Sequence, residues 1–277
     1  IVTTVAALRT ALAKLKQSSG AKPQRIGMVP TMGALHEGHL SLVRAAKAIS
    51  DKVLVSIFVN PAQFAPHEDF DAYPRNLEAD LAKLSDVDLV FAPDVGEMYP
   101  HGQVTSIAVG GPSAGLETDF RPHFFSGVAT AVAKLLIAAL PDIAVFGEKD
   151  YQQLLVVRRL ARDLLLPVEI LGVPIVREAD GLALSSRNVY LSRDERKIAG
   201  RLNAVLKDVI ADARGGGVRQ AEMAGTAALK RAGFDSVDYL AIRDAETLAV
   251  IDELARPARV LAAAKVGRTR LIDNMAV

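Results

Sequence analysis

Three short polar segments of this chain carry residue types that bind phosphate. The first spans residues 31–39, where His36 and His39 stand three residues apart between an apolar run and a helical pattern. Amides at a helix N-terminus point at a bound ligand, and the helix dipole there favours negative charge. Two imidazoles at this spacing can donate to the oxygens of one ligand, and Gly33 and Gly38 allow close backbone approach. The segment therefore indicates an anion site.

The second segment is Gly-Glu-Lys-Asp at residues 147–150, and the third is Leu-Ser-Ser-Arg-Asn at residues 184–188. Lys149, at a predicted strand end, can bind phosphate, and Asp150 can accept from ribose hydroxyls. Two serines and an arginine in a row offer several donors to phosphate oxygens. A surface ion pair and an ordinary turn are the commoner interpretations of such segments taken alone. Their occurrence in one chain with the histidine pair favours phosphate binding.

Zinc is the alternative ligand for the histidine pair. His-Glu-Gly-His is one residue shorter than the His-Glu-x-x-His spacing of metalloproteases, and a glycine interrupts it. Third ligands are scarce, because the other histidines are His67, His101 and His123. The sequence therefore favours an anion site over a zinc site.

Two glutamines are candidates for holding a small hydroxy acid. Gln63 lies in Asn-Pro-Ala-Gln-Phe at residues 60–64, and Gln153 lies just after the lysine segment. Their neutral amides can bind hydroxyl and carboxylate groups. Solvated surface is the commoner role of a glutamine, and it stays open for both.

The elements that must position these segments alternate between apolar runs and helical patterns. The predicted strands are residues 25–30, 52–60, 86–93, 142–147 and 167–176, with helices at 40–50, 77–85 and 127–140. Buried strands separated by helices indicate a doubly wound, Rossmann-like parallel sheet. Ligands of such sheets bind beyond the carboxyl ends of the strands, where the polar segments fall.

The pattern changes after residue 176. A long amphipathic helix is predicted at 191–213, then a glycine break at 215–217, a helix at 219–231, and three short antiparallel strands. We therefore predict an α/β fold in which a Rossmann-like ligand-binding domain, residues 1–176, precedes a smaller α+β domain, residues 177–277. The second domain is a candidate lid over the site.

Composition limits the partners. Lys and Arg number 33 against 32 Asp and Glu, so a net charge of +1 predicts no nucleic-acid or membrane partner. Without cysteine, disulfides and thiolate metal sites are excluded. The longest apolar run, near residues 128–140, is too short to cross a bilayer. We expect a cytoplasmic protein.

The motifs and their order resemble the pantothenate synthetase family of the nucleotidyltransferase and class I aminoacyl-tRNA synthetase-like superfamily. The resemblance rests on VPTMGALHEGH, FVNPAQF, YPR, FGEKDYQQL and READGLALSSRN, and it runs from residue 26 to the final TRLIDN. It implies a homodimeric ligase that joins pantoate to β-alanine with ATP and Mg²⁺. The products are pantothenate, AMP and pyrophosphate, and the intermediate is an enzyme-bound pantoyl-adenylate.

The resemblance also assigns residues to roles. It gives His39 a proton-donor role, and catalysis to His36, Lys149 and Arg187 as well. It places Gln63 and Gln153 at the pantoate site, with Gln63 bordering β-alanine, and makes Asp80 a magnesium-associated acid. The implied ATP site consists of Met32, Gly33, Ala34, Leu35, His36, Glu37, Gly38, His39, Gly147, Glu148, Lys149, Asp150, Val176, Leu184, Ser185, Ser186 and Arg187.

One segment departs from the family pattern Arg-Pro-x-His-Phe. Here residues 121–125 read Arg-Pro-His-Phe-Phe, so that His123 stands one position early and its contact with a substrate stays open. Three other functions also stay open: an enzyme that moves AMP onto a phosphorylated metabolite, an aminoacyl-tRNA synthetase fragment, and a non-catalytic nucleotide sensor. The first needs a basic pocket for a second phosphate, and the second needs a basic surface for tRNA.

Overall fold

A computed structural model describes residues 1–17, 23–64 and 70–277 of the chain. Strands β1 to β5 span Ile26–Thr31, Lys52–Ile57, Leu89–Phe91, Ile143–Gly147 and Glu169–Val173. They form one parallel sheet in the order β3-β2-β1-β4-β5. All five predicted strands are therefore confirmed. Three end earlier than predicted, and each of these is followed within four residues by a proline, which cannot donate to a strand ladder.

Helices cover both faces of this sheet, as a doubly wound fold requires. Helices α1 to α7 span Val5–Gln17, Glu37–Ile49, Leu77–Lys83, Val95–Met98, Glu117–Phe120, Phe124–Ala139 and Tyr151–Asp163. One face is buried by α1, α6 and α7 around Leu136 and Leu154, and the other by α2 around Val43. Within the described part of the chain, no helix has the length and apolar character that spanning a bilayer requires.

The remainder of the chain forms a second domain with its own core. Helices α8 to α10 span Arg193–Ala199, Arg201–Gly216 and Val218–Arg231, and strands β6 to β8 span Ser236–Asp244, Ala258–Val266 and Thr269–Ala276. The strands form an antiparallel sheet in sequence order, which confirms the predicted α+β module. Its core contains Leu206, Ile242 and Val260, while Ala241 and Leu261 join the core of the first domain. The two domains are thus in direct apolar contact.

The prediction of one long helix over residues 191–213 was wrong. The helix is interrupted at Gly200, whose backbone lies against the carboxylate of Asp180, so that there is no room for a side chain. Ser192 and Glu195 form a capping box that begins the short helix before the break. The second helix then runs further than predicted, to Gly216, and Gly217 makes the turn with a φ of 99°.

Strand order explains why distant motifs meet. Strands β2 and β3 lie on one side of β1, and strands β4 and β5 lie on the other side. As a result, β1 pairs with both β2 and β4. The carboxyl ends of β1 and β4 therefore flank the topological switch point, where such sheets bind ligands. The histidine segment follows β1, and the lysine segment follows β4.

A close approach between α6 and the loop after β2 also shapes this region. The loop contains a 3₁₀ turn, Pro61–Gln63, which packs against α6 at Gly127. A Cβ atom at Gly127 would collide with the backbone carbonyl of Ala62. Asn60 strengthens the contact, because its amide donates to the Gly127 carbonyl oxygen at 3.1 Å. This packing fixes the position of Gln63.

We predict that Gly127→Ala lowers the apparent thermal midpoint by about 2–12 °C, because overpacking of this kind costs about 1–3 kcal/mol. The matched control is Gly215→Ala in α9, where an added Cβ meets nothing within 4 Å. The control should be as stable as the original chain or slightly more stable, since alanine favours helix. Equal midpoints for the two variants would contradict this account of the packing.

Candidate active site

A cavity of about 720 Å³ opens at the switch point and is lined by both domains. Every predicted segment contributes to its wall. The predicted site residues that line it are Met32, His36, Gly38, His39, Gln63, Gly147, Lys149, Asp150, Gln153, Val176, Leu184, Ser185, Ser186 and Arg187. The histidine turn and the Ser-Ser-Arg turn, about 150 residues apart in sequence, thus face one space.

The histidine turn is held in place by reciprocal capping of α2. Nδ1 of His36 accepts from the amide of Gly38 at 3.1 Å, and Nδ1 of His39 accepts from the amide of His36 at 3.3 Å. The ring centroids are 4.1 Å apart. A neutral imidazole whose Nδ1 accepts carries its proton on Nε2. Each ring therefore has one N–H group left for a ligand.

Both histidines favour the neutral state. Burial, with Lys149 and Lys83 nearby, lowers the pKa of His36 to about 4. Burial, with His36 and Lys149 nearby, lowers the pKa of His39 to about 3. The proton-donor role expected of His39 stays a prediction beside these low pKa values of the two imidazoles. At neutral pH they are hydrogen-bond donors without net charge.

Asp80 lies beneath the histidine turn rather than in the cavity. Its carboxylate is 2% exposed and accepts from the amides of Ala34 at 2.9 Å and Leu35 at 2.8 Å. Ala34 has a φ of 50°, a left-handed conformation that these hydrogen bonds hold. Lys83 supports the same turn by donating to the Leu35 carbonyl oxygen at 2.6 Å. Asp80 therefore supports the histidine turn, and its expected association with magnesium stays a prediction.

Five residues predicted to contact ATP do not line the cavity. Gly33, Ala34 and Leu35 form the underside of the turn against Asp80. Glu37 is exposed and pairs with Arg44. Glu148 turns toward the second domain and pairs with Arg259 at 2.9 Å. These five therefore flank the cavity in this structure, and their expected contact with ATP stays a prediction.

The lysine segment brings one cation to the cavity wall. Residues 148–150 form a 3₁₀ turn that leads into α7, and Lys149 and Asp150 both line the cavity. Their side chains are 3.8 Å apart, and the Lys149 side chain is 22% exposed. A partly buried ammonium group beside two neutral imidazole donors is suited to an anion with several oxygens.

The Ser-Ser-Arg turn lies across the cavity and contacts the segment near residue 73. Ser185 caps the turn, accepting from the amide of Arg187 at 3.3 Å. The hydroxyl of Ser186 is 3.1 Å from that of Tyr73, and the Arg187 guanidinium lies 5.7 Å from the Tyr73 ring centroid. The turn is therefore fixed by contacts from the first domain.

The two predicted glutamines line the cavity with partly buried side chains. Gln63 ends the 3₁₀ turn against α6, and Gln153 lies in the first turn of α7. Within the described residues, neither side-chain amide has a hydrogen bond, so both are available to a ligand. Their neighbour Gln152 differs, because it is buried and bonds to Glu117, Pro112 and Gly115.

The zinc alternative finds no support in this geometry. His101 and His123 are exposed and do not line the cavity, and His67 lies outside the described residues. Among residues 1–17, 23–64 and 70–277, no three His, Cys, Asp or Glu side chains come together as metal ligands. Phe124, rather than His123, lines the cavity, with the Arg121 guanidinium 3.9 Å from its ring centroid.

A network of ion pairs and hydrogen bonds in the cavity wall was not predicted from the sequence. Glu117, 5% exposed, accepts from Arg121 at 3.1 Å, from Arg270 at 2.6 and 2.9 Å, and from the Tyr239 hydroxyl at 3.1 Å. Despite the burial, which opposes ionisation, the two arginines lower the pKa of Glu117. Arg270 also donates to Asp238 at 2.7 Å. No local motif signals this network, because its members lie up to 153 residues apart in sequence.

The fold and the site together define an α/β protein with a cavity whose wall carries hydrogen-bond donors and cations. The family model described as pantoate-beta-alanine ligase matches residues 1–276. The chain is 56% identical to a curated protein of Mesorhizobium japonicum named pantothenate synthetase, and the match covers 100% of this chain and 97% of that protein. It is 55% identical to a protein of the same name from Bradyrhizobium sp., and that match covers 99% of this chain and 98% of the other protein. The chain belongs to the pantoate–β-alanine ligase family and is an enzyme of pantothenate formation.

Solved structures agree with this membership. Pantothenate synthetase from Thermus thermophilus superposes with a TM-score of 0.92 at 50% identity, covering 99% of this chain and 98% of that one. Pantoate-beta-alanine ligase from Francisella tularensis, complexed with beta-gamma ATP and beta-alanine, superposes with a TM-score of 0.82 at 33% identity. It covers 99% of this chain and 96% of that chain.

We predict that the imidazoles of His36 and His39 stay neutral, with the proton on Nε2, from about pH 8 down to about pH 5.5. The unfolded chain takes up these protons near pH 6.5, whereas the folded chain takes them up only near pH 4 and 3. The free energy of unfolding that the two neutral histidines contribute is therefore lost as the pH falls from about 6.5 towards 3. An NMR titration of ring nitrogen shifts, assigned with His36→Gln and His39→Gln, measures this directly. Midpoints above about pH 6 would contradict the prediction.

Proposed function

We propose that this enzyme condenses pantoate with β-alanine using ATP, and that it forms pantothenate, AMP and pyrophosphate through an enzyme-bound pantoyl-adenylate. The observation that carries the proposal is the placement of the histidine turn and the Ser-Ser-Arg turn on one cavity at the switch point. The substrates in the Francisella tularensis complex support the same choice of ATP and β-alanine.

The triphosphate lies between these two turns in our proposal. Lys149 and Arg187 supply positive charge, and the Nε2–H groups of His36 and His39 supply neutral donors. The serine hydroxyls add further donors from the opposite wall. Met32, Gly38, Gly147, Asp150, Val176 and Leu184 complete the nucleotide pocket. Loss of one such donor typically costs an enzyme about 3–4 kcal/mol of transition-state stabilisation.

Pantoate binds at the amide-lined part of the cavity in this proposal. Gln63 and Gln153 both line the cavity, their side-chain amides have no hydrogen bond among the described residues, and they can bind the hydroxyl and carboxylate groups of a small acid. The first step is an in-line attack by a pantoate carboxylate oxygen on the α-phosphorus of ATP. The bond to the β-phosphate breaks, and pyrophosphate leaves with the bonding electrons. Two anions meet in this step, so Lys149 and Arg187 carry most of the electrostatic stabilisation.

The second step forms the amide bond. The neutral amine of β-alanine attacks the acyl carbon of the adenylate, the bond from that carbon to the AMP oxygen breaks, and the nitrogen loses its proton. No covalent bond to the enzyme is required, in agreement with a chain that has no cysteine. Gln63 borders the β-alanine position in this proposal.

Water must be kept from the adenylate, which it would hydrolyse. We assign this task to the second domain, taken as residues 177–277, acting as a lid on residues 1–176. The support is that both domains line the cavity and share apolar contacts. Domain closure of this kind commonly sequesters reactive intermediates.

Magnesium fits this site only as an ion carried by the nucleotide. Asp80 is buried beneath the histidine turn and accepts from two backbone amides, and the described residues contain no cluster of three metal-ligating side chains. Mg²⁺ often binds through substrate phosphates with few protein ligands. We therefore propose that Mg²⁺ enters with ATP, and we assign it no step that depends on a protein ligand.

The other functions fit less well. Transfer of AMP to a phosphorylated metabolite requires cations for a second phosphate, whereas neutral Gln63 and Gln153 line the acid position. A nucleotide sensor would bind ATP without turnover. AMP release that requires both pantoate and β-alanine distinguishes the ligase from both. We further propose a cytoplasmic homodimer, supported by the resemblance to the family and by the absence of cysteine. Sedimentation equilibrium tests the dimer.

We predict that ATP and pantoate alone release pyrophosphate in an amount equal to the enzyme, because the adenylate forms and stays bound until β-alanine arrives. A rapid-quench experiment with enzyme in micromolar amounts measures this burst. The control omits pantoate and should release none. Pyrophosphate that appears only after β-alanine is added would contradict the stepwise mechanism.

We predict that Asp80→Asn reduces activity without changing the Mg²⁺ concentration that half-saturates the rate by more than about twofold. Asparagine keeps one acceptor but turns a donor toward a backbone N–H group, which loosens the histidine turn. The control is Asp88→Asn, which removes a similar acceptor from the Val53 amide away from the cavity. A roughly tenfold rise in the half-saturating Mg²⁺ concentration for Asp80→Asn alone would show that Asp80 does bind the metal.

A further inference from the structure

A residue of strand β8 in the second domain is hydrogen-bonded to the backbone of the turn that carries Lys149. Asn274, on this strand, is 2% exposed, and its side-chain amide nitrogen donates to the carbonyl oxygens of Glu148 and Lys149, both at 2.9 Å. These carbonyls belong to the 3₁₀ turn between β4 and α7. A side chain of one domain thus holds the backbone of the turn that carries the phosphate-facing lysine of the other.

Arg259, on the adjacent strand β7, holds the same turn through a side chain. Its Nε donates to Oδ1 of Asn274 at 2.6 Å, and its guanidinium pairs with Glu148 at 2.9 Å. The guanidinium carbon also lies 3.8 Å from the ring centroid of Tyr151, the first residue of α7. Asn274 and Arg259, here called the clamp, therefore fix both the backbone and the side chain of Glu148.

The clamp is itself held rigidly. The backbone amide of Asn274 donates to Oδ1 of Asp273 at 2.7 Å, and its carbonyl accepts from Arg177 at 3.2 Å. Arg177 in turn forms two hydrogen bonds, of 2.7 and 2.8 Å, to the buried Asp273 carboxylate. Both polar atoms of the Asn274 side chain and both polar groups of its backbone have partners. Its orientation therefore has little freedom.

We propose that Asn274 is a positioning residue for nucleotide binding. Its hydrogen bonds fix the position of the backbone at residues 148–150 and so direct the Lys149 ammonium group into the cavity. The inference rests on the proposed function, because it takes the phosphates of ATP as the anion that Lys149 meets. Small displacements of a charged group weaken its interaction with a fixed anion. The second domain then builds part of the phosphate site as well as covering it. This also accounts for Glu148, which faces the clamp instead of the ligand.

A contact that only stabilises the association of the two domains would give a different result in binding experiments. Such a contact contributes to stability but leaves the affinity for nucleotide unchanged in the folded protein. The positioning role instead requires that loss of the clamp loosens the turn and weakens nucleotide binding more than pantoate binding. Two readouts separate these cases: deuterium uptake by the amides of residues 147–153 without nucleotide, and dissociation constants from calorimetry for α,β-methylene-ATP and for pantoate.

The variants are Asn274→Ala, which removes the donor, and Asn274→Asp, which keeps the acceptor for Arg259 but turns an oxygen toward two carbonyls. Both should raise deuterium uptake in residues 147–153 and weaken the nucleotide analogue at least about fivefold, with pantoate changed less than about twofold. The control is Asp235→Asn, which weakens the contact to the Gly267 amide, after the end of β7 opposite to Arg259. It should change neither readout.

Unchanged uptake, or increased uptake with unchanged nucleotide affinity, would overturn the positioning role while leaving the proposed function intact. An equal loss of affinity in Asp235→Asn would overturn it as well, because the effect would then follow general weakening of the second domain. If the original chain itself does not bind the nucleotide analogue, both the proposed function and this inference fail.

Discussion

The parallel pairing of β1 with β2 on one side and β4 on the other is the constraint on which the rest of the site depends. This pairing brings the ends of two strands together at a point where no connection crosses between them, and so leaves a crevice. The histidine turn and the lysine turn have to fall on its rim, because each is the first segment after one of these strands. The second domain then packs its sheet against the same end of the molecule and completes the wall.

The crevice is lined by both charged and neutral hydrogen-bond donors. Lys149 and Arg187 carry charge, whereas His36 and His39 are kept neutral by burial and by the cations around them. Neutral N–H donors cost less to bury than imidazolium ions, and they can still orient phosphate oxygens. The reciprocal capping of α2 uses Nδ1 of both rings, so the donor that remains is fixed on Nε2. The turn thus stabilises the helix and selects the tautomer with the same hydrogen bonds.

Sequence reasoning succeeded where the determinants are local. Apolar runs located all five parallel strands, and short motifs located the histidine, lysine and Ser-Ser-Arg turns. It could not place the side chains of Asp80, Glu148 and Glu37, which have partners outside the cavity. The same holds for Asn274 and for the Glu117 network, since residues that meet across a domain boundary leave no spacing pattern in the chain. At Gly200, where the predicted long helix is interrupted, the Asp180 carboxylate from another segment leaves no space for a side chain.

The most direct test of the account is a crystal structure of the enzyme with α,β-methylene-ATP and pantoate. We expect the phosphates to lie within about 3 Å of Nε2 of His36 or His39 on one wall and of the Ser186 or Arg187 side chain on the other. Lys149 should contact the same phosphates, and the pantoate carboxylate should face the α-phosphorus opposite the β-phosphate. A nucleotide bound to only one of these turns, or outside the crevice between β1 and β4, would contradict the account.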